Sequence, residues 1–306
     1  MPKKKIIFLL GPTGIGKSAA AIILAKKINA EIISCDSMQV YRKMNILTSK
    51  ASSAQRKKIK HHLLSKIDPT REYNVAKYRQ DALLICEKLF RKGKTPLFVG
   101  GTGLYYSIIV DGLFPAVPQD KAIRTKLEKQ LKQKGNKYFY RKLLKVDAGA
   151  AGKIHPNDTR RIIRALEVYL KTGECISQLQ KNRVGLGKDY NIKVLGLNLD
   201  RQHLYDRINQ RVDKMFELGL ISEVKRLLKY KLSQTAQCAI GIRELKGYFD
   251  ANYPLAEAKR LMQRNSRHYA KRQLTWFRKD KRIKWVDIKQ KESPAQVALK
   301  LWKKLS

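Results

Sequence analysis

Five consecutive apolar residues, Ile6-Ile7-Phe8-Leu9-Leu10, follow a short lysine run near the start of the chain. Beyond them the apolar positions fall three and four apart. The first pattern predicts a strand buried on both faces; the second predicts a helix from Ser18 to Ile28 with Ala20, Ala21, Leu24 and Ile28 on its inner stripe. Ile32-Ile33, closing at Cys35-Asp36, predicts a second strand. Val75 to Arg91 reads as a long helix stopped by Gly93, and Leu97-Phe98-Val99, between Pro96 and Gly100-Gly101, as a third strand. Strands alternating with helices predict an α/β fold with a parallel sheet covered on both faces.

The pattern changes at Phe114. Pro115 and Pro118 punctuate a linker, and a charged helical region runs to about Gly187 before Leu195 to Leu199 returns to strand composition. Arg201 to about Phe277 is again mostly helical. The economical reading is one α/β core, residues 1–114 and 189–306, interrupted by a helical insertion domain at 115–188. Two domains in series is the alternative.

Gly11-Pro12-Thr13-Gly14-Ile15-Gly16-Lys17-Ser18 satisfies G-x-x-x-x-G-K-[ST] between the first strand and the first helix, the context this phosphate-binding motif requires. Its backbone N–H groups would converge on phosphate oxygens, Lys17 would add a cation, and the Ser18 hydroxyl could hold Mg²⁺. The fold class is thus α/β, a P-loop NTPase-like parallel sheet core with a helical insertion. The motif carries the nucleotide- and ATP-binding signature but does not say which phosphoester is bound. An NTPase would normally add a strand ending in a magnesium-contacting Asp. Here one later strand ends at Asp36, and the other in Gly100-Gly101-Thr102-Gly103 without an acid. Ligands of open parallel sheets lie beyond the carboxyl ends of the strands, so the phosphate loop, Asp36 and Thr102 should share a crevice. Asp36 is then a metal-associated carboxylate, a general base, or a cap on the following turn.

Charge narrows the class of partner. Sixty-six Lys and Arg against 25 Asp and Glu leave a formal net charge of +41 over 306 residues, which points to a polyanion, with nucleic acid foremost and biased composition as the plain alternative. The cations cluster: Lys259 to Lys284 carries a single acid, Asp280, and Arg260, Arg264, Arg267 and Lys271 follow helical spacing. No apolar run approaches the roughly 18 to 20 residues that span a bilayer. Cys35, Cys86, Cys175 and Cys238 are widely spaced, arguing against zinc or disulfides and for a reducing, cytoplasmic setting.

Several segments together carry a resemblance. The phosphate loop, Asp36-Ser37-Met38-Gln39-Val40-Tyr41-Arg42, His61-His62-Leu63, Phe98-Val99-Gly100-Gly101-Thr102-Gly103-Leu104-Tyr105, His155-Pro156-Asn157-Asp158 and Tyr269-Ala270-Lys271-Arg272-Gln273-Leu274-Thr275-Trp276-Phe277-Arg278 occur in one order across nearly the whole chain. In this the sequence resembles the tRNA dimethylallyltransferase (tRNA isopentenyltransferase) family. The resemblance implies transfer of a dimethylallyl group from dimethylallyl diphosphate to N6 of the adenosine 3′ of the anticodon (position 37). A phosphate loop without a hydrolytic partner strand suits a diphosphate that leaves rather than one that is cleaved. Asp36 matches the family's proposed base, and Thr102 would help orient the adenine.

The resemblance also implies an RNA face. It comprises Asp36, Ser37, Met38, Gln39 and Thr102; Arg124; Arg160, Arg161, Ile162, Ile163 and Arg164; Gln237, Cys238, Ala239, Ile240, Gly241, Ile242 and Arg243; and Lys271, Arg272, Gln273, Leu274, Thr275, Trp276, Phe277 and Arg278. The partner would be the anticodon stem-loop, its target base drawn out of the stack, and the enzyme is expected to act as a monomer with Mg²⁺ and without zinc. Residue types alone leave other roles open: a structural Gln39, a solvated arginine face, and Trp276 and Phe277 as core. An RNA-dependent ATPase or kinase and a non-catalytic RNA binder are the competing classes. Two departures stand out: Met44-Asn45-Ile46-Leu47-Thr48-Ser49-Lys50 where members often read Met-Asp-Ile-Gly-Thr-Ala-Lys, and Ile242 where Tyr is usual.

Overall fold

The computed structural model describes residues 3–113 and 117–305. Phe114 and Pro115, where the sequence suggests a linker begins, lie outside the described residues. Six strands, β1 (Lys5–Leu10), β2 (Ala30–Cys35), β3 (His61–His62), β4 (Thr95–Gly100), β5 (Asn191–Asn198) and β6 (Lys284–Asp287), form one parallel sheet in the order β3-β2-β4-β1-β5-β6. Around it in the first half run α1 (Lys17–Lys27), α2 (Ser53–Lys58), α3 (Val75–Arg91) and α4 (Gly103–Val110). A second group is α5 (Lys121–Val146), α6 (Ala148–Ala151), α7 (Thr159–Thr172) and α8 (Ile176–Leu179). After β5 come α9 (Arg201–Glu217), α10 (Leu220–Leu227), α11 (Ile242–Phe249), α12 (Leu255–Phe277) and α13 (Pro294–Lys303).

The continuous apolar strands are explained by their position. β1 is central, flanked by β4 and β5, and its residues alternate between two buried layers. Ile7 and Leu9 pack with Leu24 of α1, Leu204 and Ile208 of α9, Ala270 of α12 and Leu301 of α13. Phe8 faces the other way, stacked on Phe98 at 4.6 Å and edge-on to Tyr106 of α4 at 5.1 Å. Burying such side chains stabilises each by about 1.5–3 kcal/mol, so the sheet centre is where the fold is anchored.

The chain divides into two compact units, residues 1–110 with 187–306 and residues 111–186. The second has its own core, in which Leu127, Phe139 and Leu143 meet Ile162, Ile163, Leu166 and Val168 of α7. Asp158 caps α7 by accepting from Arg161 N, and Gly173 ends it with φ 74°. Leu170, at a helical spacing that suits packing, is instead 49% exposed.

Candidate active site

All the parts of the site belong to the larger unit and sit at the carboxyl edge of its sheet. The loop after β1 wraps back on itself: Gly14 has φ +81°, and a Cβ there would lie 2.7 Å from Ile208 Cγ1, so α9 packs directly on glycine backbone. Lys17 Nζ donates to the carbonyls of Gly11 (2.8 Å) and Pro12 (2.7 Å), holding the loop closed over its own cation. Thr13 N donates to Gln273 Oε1 (2.9 Å), and Gln273 Nε2 donates to Gly101 O (2.8 Å). One glutamine of α12 thus ties the phosphate loop to the loop after β4. Gly101 must lack a Cβ for this, since one would sit 2.2 Å from that same amide nitrogen.

Asp36 follows β2. Its Oδ1 accepts from Met38 N (2.9 Å) and Gln39 N (3.4 Å), so it does cap the turn, while its Oδ2 accepts no hydrogen bond among the described residues. Thr102 joins it through the backbone: Ser37 N donates to Thr102 Oγ1 (3.1 Å) and Thr102 N to Cys35 O (3.1 Å). The Tyr269 hydroxyl is pushed up to about 12 by burial and then by Asp36, with the nearby Thr102 side chain opposing.

Two cavities meet here. One, about 360 Å³, is lined by Thr13, Gly16, Lys17, Ser18, Asp36 and Arg211 among others, and takes in the phosphate loop. The second, about 290 Å³, is lined on its apolar side by Met38, Leu47, Ile208, Met215, Ile240 and Met262, and on its polar side by Thr13, Asp36, Arg211, Tyr269 and Arg272. Thr13, Asp36 and Arg211 border both. A diphosphate on the loop would therefore place its organic end at the boundary that Asp36 guards.

Arg211 was not foreseen from the sequence, where it is one of many cations on an amphipathic helix. Its Nε donates to Ser49 Oγ (2.9 Å) and its Nη1 to Thr13 Oγ1. Burial pulls the guanidinium below its ordinary value, with Asp36 opposing. Lys17 is lowered to about 7, first by burial and also by Arg211, again with Asp36 opposing. A lysine near 7 is about half neutral at pH 7, and an arriving diphosphate favours its charged form. Diphosphate binding at about pH 8 should therefore take up a proton, and affinity should weaken as pH rises above 7. Calorimetry in two buffers of different ionisation enthalpy measures this; zero uptake would remove Lys17 from the contact. The same shift makes the Lys17 contribution to substrate-free stability rise with pH between about 7 and 10.5, because the unfolded chain binds more protons there.

The remaining expected RNA residues separate. Ser37, Met38, Cys238, Ala239, Ile240 and Arg272 line the second cavity, and Gln237 and Arg243 are exposed beside it in sequence. Gln39 lines the first cavity but is engaged, accepting from Ser34 Oγ (3.1 Å) and donating to Thr48 O (3.2 Å). Lys271, Leu274, Thr275 and Arg278 line a separate depression with Arg201 and Tyr205, so the segment 271–278 presents more than one face. Burial and pairing set several of these residues apart from the cavities. The side chains of Ile162, Ile163, Ile242 and Phe277 are buried as core, and that of Gln273 is spent on the two loops. Gly241 is likewise buried, at the start of α11. Trp276 is half-buried, edge-on to Tyr106 and Phe277. Arg164 is fixed within its own unit, donating to buried Glu167 (3.0 Å) and to Val117 O (2.6 Å). Arg161 pairs with Asp158 and Arg124 with Glu128, while Arg160 is exposed. On α12, Arg260, Arg264 and Lys271 are exposed and Arg267 half-buried, leaving a basic outer stripe over the inward Met262 and Ala270.

No group of three or more His, Cys, Asp or Glu that could hold a metal occurs among the described residues. Among the described residues no helix is long and apolar enough to cross a membrane.

Known proteins match this arrangement over most of its length. The sequence family described as IPP transferase matches residues 39–280. The tRNA dimethylallyltransferase of Halothermothrix orenii is 46% identical over 286 residues, covering 92% of this chain and 87% of its own. Among solved structures, the full-length tRNA isopentenylpyrophosphate transferase of Bacillus halodurans superposes with a TM-score of 0.71 at 38% identity, covering 99% of this chain and 98% of its own. A eukaryotic dimethylallyltransferase acting on tRNA gives 0.75 at 30% identity, covering 93% of this chain and 74% of its own.

Proposed function

This chain belongs to the IPP transferase family, and from that premise we propose that it transfers the dimethylallyl group of dimethylallyl diphosphate to N6 of the adenosine 3′ of the anticodon in tRNA, releasing diphosphate. The observation that carries the site reading is the shared border of the two cavities, where Asp36 lies between a phosphate loop and a half-apolar chamber.

In the reaction the allylic C–O bond breaks with its electrons passing to the diphosphate, the N6–C bond forms, and N6 loses a proton. Each event has a group in place. The loop N–H groups, Lys17 and Arg211 stabilise the charge gathering on the departing diphosphate. The N6 amine, a weak nucleophile, becomes acidic only as the C–N bond forms, and the Asp36 carboxylate takes the proton then. Thr102, held by Ser37 N beside Asp36, orients the adenine side. Holding donor and acceptor on either side of one carboxylate makes the step unimolecular.

Mg²⁺ fits the donors present. Ser18, exposed in the first turn of α1, supplies one hydroxyl, and a hard ion of this kind takes its remaining ligands from diphosphate oxygens and water. When bound, it would neutralise charge on the leaving group. The exposed stripe of α12 and the polar wall of the second cavity support the RNA side. A net charge of +41 that attracts RNA also opposes self-association, which supports a monomer, and four free thiols suit a reducing cytoplasm.

Incubation with dimethylallyl diphosphate, Mg²⁺ and unmodified tRNA, followed by nucleoside mass analysis, is expected to yield N6-isopentenyladenosine. Steady phosphate release from ATP without any prenyl transfer would overturn the reading in favour of an RNA-dependent ATPase.

A further inference from the structure

A carboxylate on α10 lines neither cavity yet holds part of the wall of both. Glu223 is 6% exposed and makes no ion pair within 4.0 Å among the described residues. Its bonds run to backbone amides far away in sequence: Oε2 accepts from Asn45 N and Ile46 N (both 3.0 Å), and Oε1 from Leu47 N (2.9 Å). Three successive amides converging on one anion make a nest, with the anion supplied by the protein itself. The turn they form is closed internally by Thr48 Oγ1 donating to Met44 O (2.6 Å) and Ser49 N to Ile46 O (2.9 Å).

Two bonds lead from this turn to the reacting groups. Thr48 O accepts from Gln39, and Ser49 Oγ accepts from Arg211 Nε. Arg211 is thereby held at two corners, by Thr13 of the phosphate loop and by the turn that Glu223 clamps.

We propose that Glu223 is a positioning residue for prenyl transfer: by clamping the 45–47 turn it places Ser49, and through Ser49 it aims the Arg211 guanidinium at the diphosphate on the Gly11–Ser18 loop. The inference rests on the prenyl-transfer reading. A guanidinium is planar, so the Nε bond sets which way its plane faces. If Ser49 moves, Arg211 keeps its charge but loses the two-point contact a phosphate accepts best. Gln at 223 keeps shape and volume, yet its NH₂ would face at least one backbone N–H, so all three bonds cannot survive.

Glu223→Gln and Ser49→Ala are compared with wild type in steady-state transfer and in titration with inorganic diphosphate and Mg²⁺. Both should weaken diphosphate binding and lower kcat/KM for the donor by about tenfold, with KM for tRNA within about twofold. The double variant should be no worse than Glu223→Gln alone, since both break one path. Additive losses, equal rises in both KM values, or a Glu223→Gln that binds diphosphate like wild type would each overturn the proposal. Ser49→Ala removes one half-buried hydroxyl, so it keeps the comparison decisive if Glu223→Gln does not fold. A wild-type chain that binds inorganic diphosphate but transfers no prenyl group would overturn the reading of function instead, and the diphosphate titration would still decide on Glu223.

Discussion

Asp36→Asn should lower the rate of prenyl transfer by about 10²–10⁴-fold while tightening, not weakening, the hold on diphosphate. The two directions follow from two jobs. Asn keeps an Oδ1 that can accept from Met38 N and Gln39 N, so the turn after β2 is retained. What it cannot do is take a proton from N6 as the new bond forms. Asp36 is also the carboxylate that opposes the lowering of both Lys17 and Arg211. Neutralising it removes the negative charge nearest an arriving diphosphate, but it also lets Lys17 fall further, so the tighter hold is read at about pH 6, where Lys17 is still charged. Single-turnover transfer and diphosphate titration on the same preparation separate these effects. Unchanged turnover removes Asp36 from the base role, and a loss of both activities together would mean the turn itself had collapsed.

Arg211→Ala should be nearly as damaging, lowering kcat/KM for the donor by about 10²–10³-fold. The guanidinium borders both cavities, is half-buried, and is already fixed by Ser49 and Thr13, so its interaction with developing diphosphate charge needs little reorganisation. A second readout tests the assignment more sharply. Arg211 is one cause of the depressed Lys17 ionisation, so its removal should move the pH at which diphosphate affinity declines upward from about 7. Arg211→Lys should restore charge without restoring the planar contact, giving partial binding and poor turnover. A pH profile that does not move in Arg211→Ala would separate the two cations and sink the shared-site picture.

Much of the fold was legible because buried strands and amphipathic helices announce themselves by period. β1, α1 and α3 fall where the apolar spacing puts them, and α3 ends at Arg91 as the Gly93 stop implies. β3 was missed because two half-buried histidines carry no strand pattern. Yet α2 and α13 both begin with capping boxes, Ser52 with Gln55 and Ser293 with Gln296, signals that were present and went unread. At the site, the phosphate loop and Asp36 were found because local motifs define them. Arg211 and Glu223 were not, because their partners lie roughly 160 to 200 positions away in sequence and no local spacing announces a bond of that kind. Gln273 was found for a different job: a segment that resembles an RNA-contacting one turned out to carry, on its inner side, a brace for the donor site.

That brace bears on how the protein is made. Thr13 and Gln273 are 260 residues apart, and β1, which carries the phosphate loop, waits for β5 before its second edge is paired. A ribosome adding about 5–20 residues per second would leave the loop without its glutamine for about ten to fifty seconds. The oldest part of the nascent chain is thus among the last to reach working shape, and a chain released before α12 is synthesised would expose the whole motif without the means to hold it.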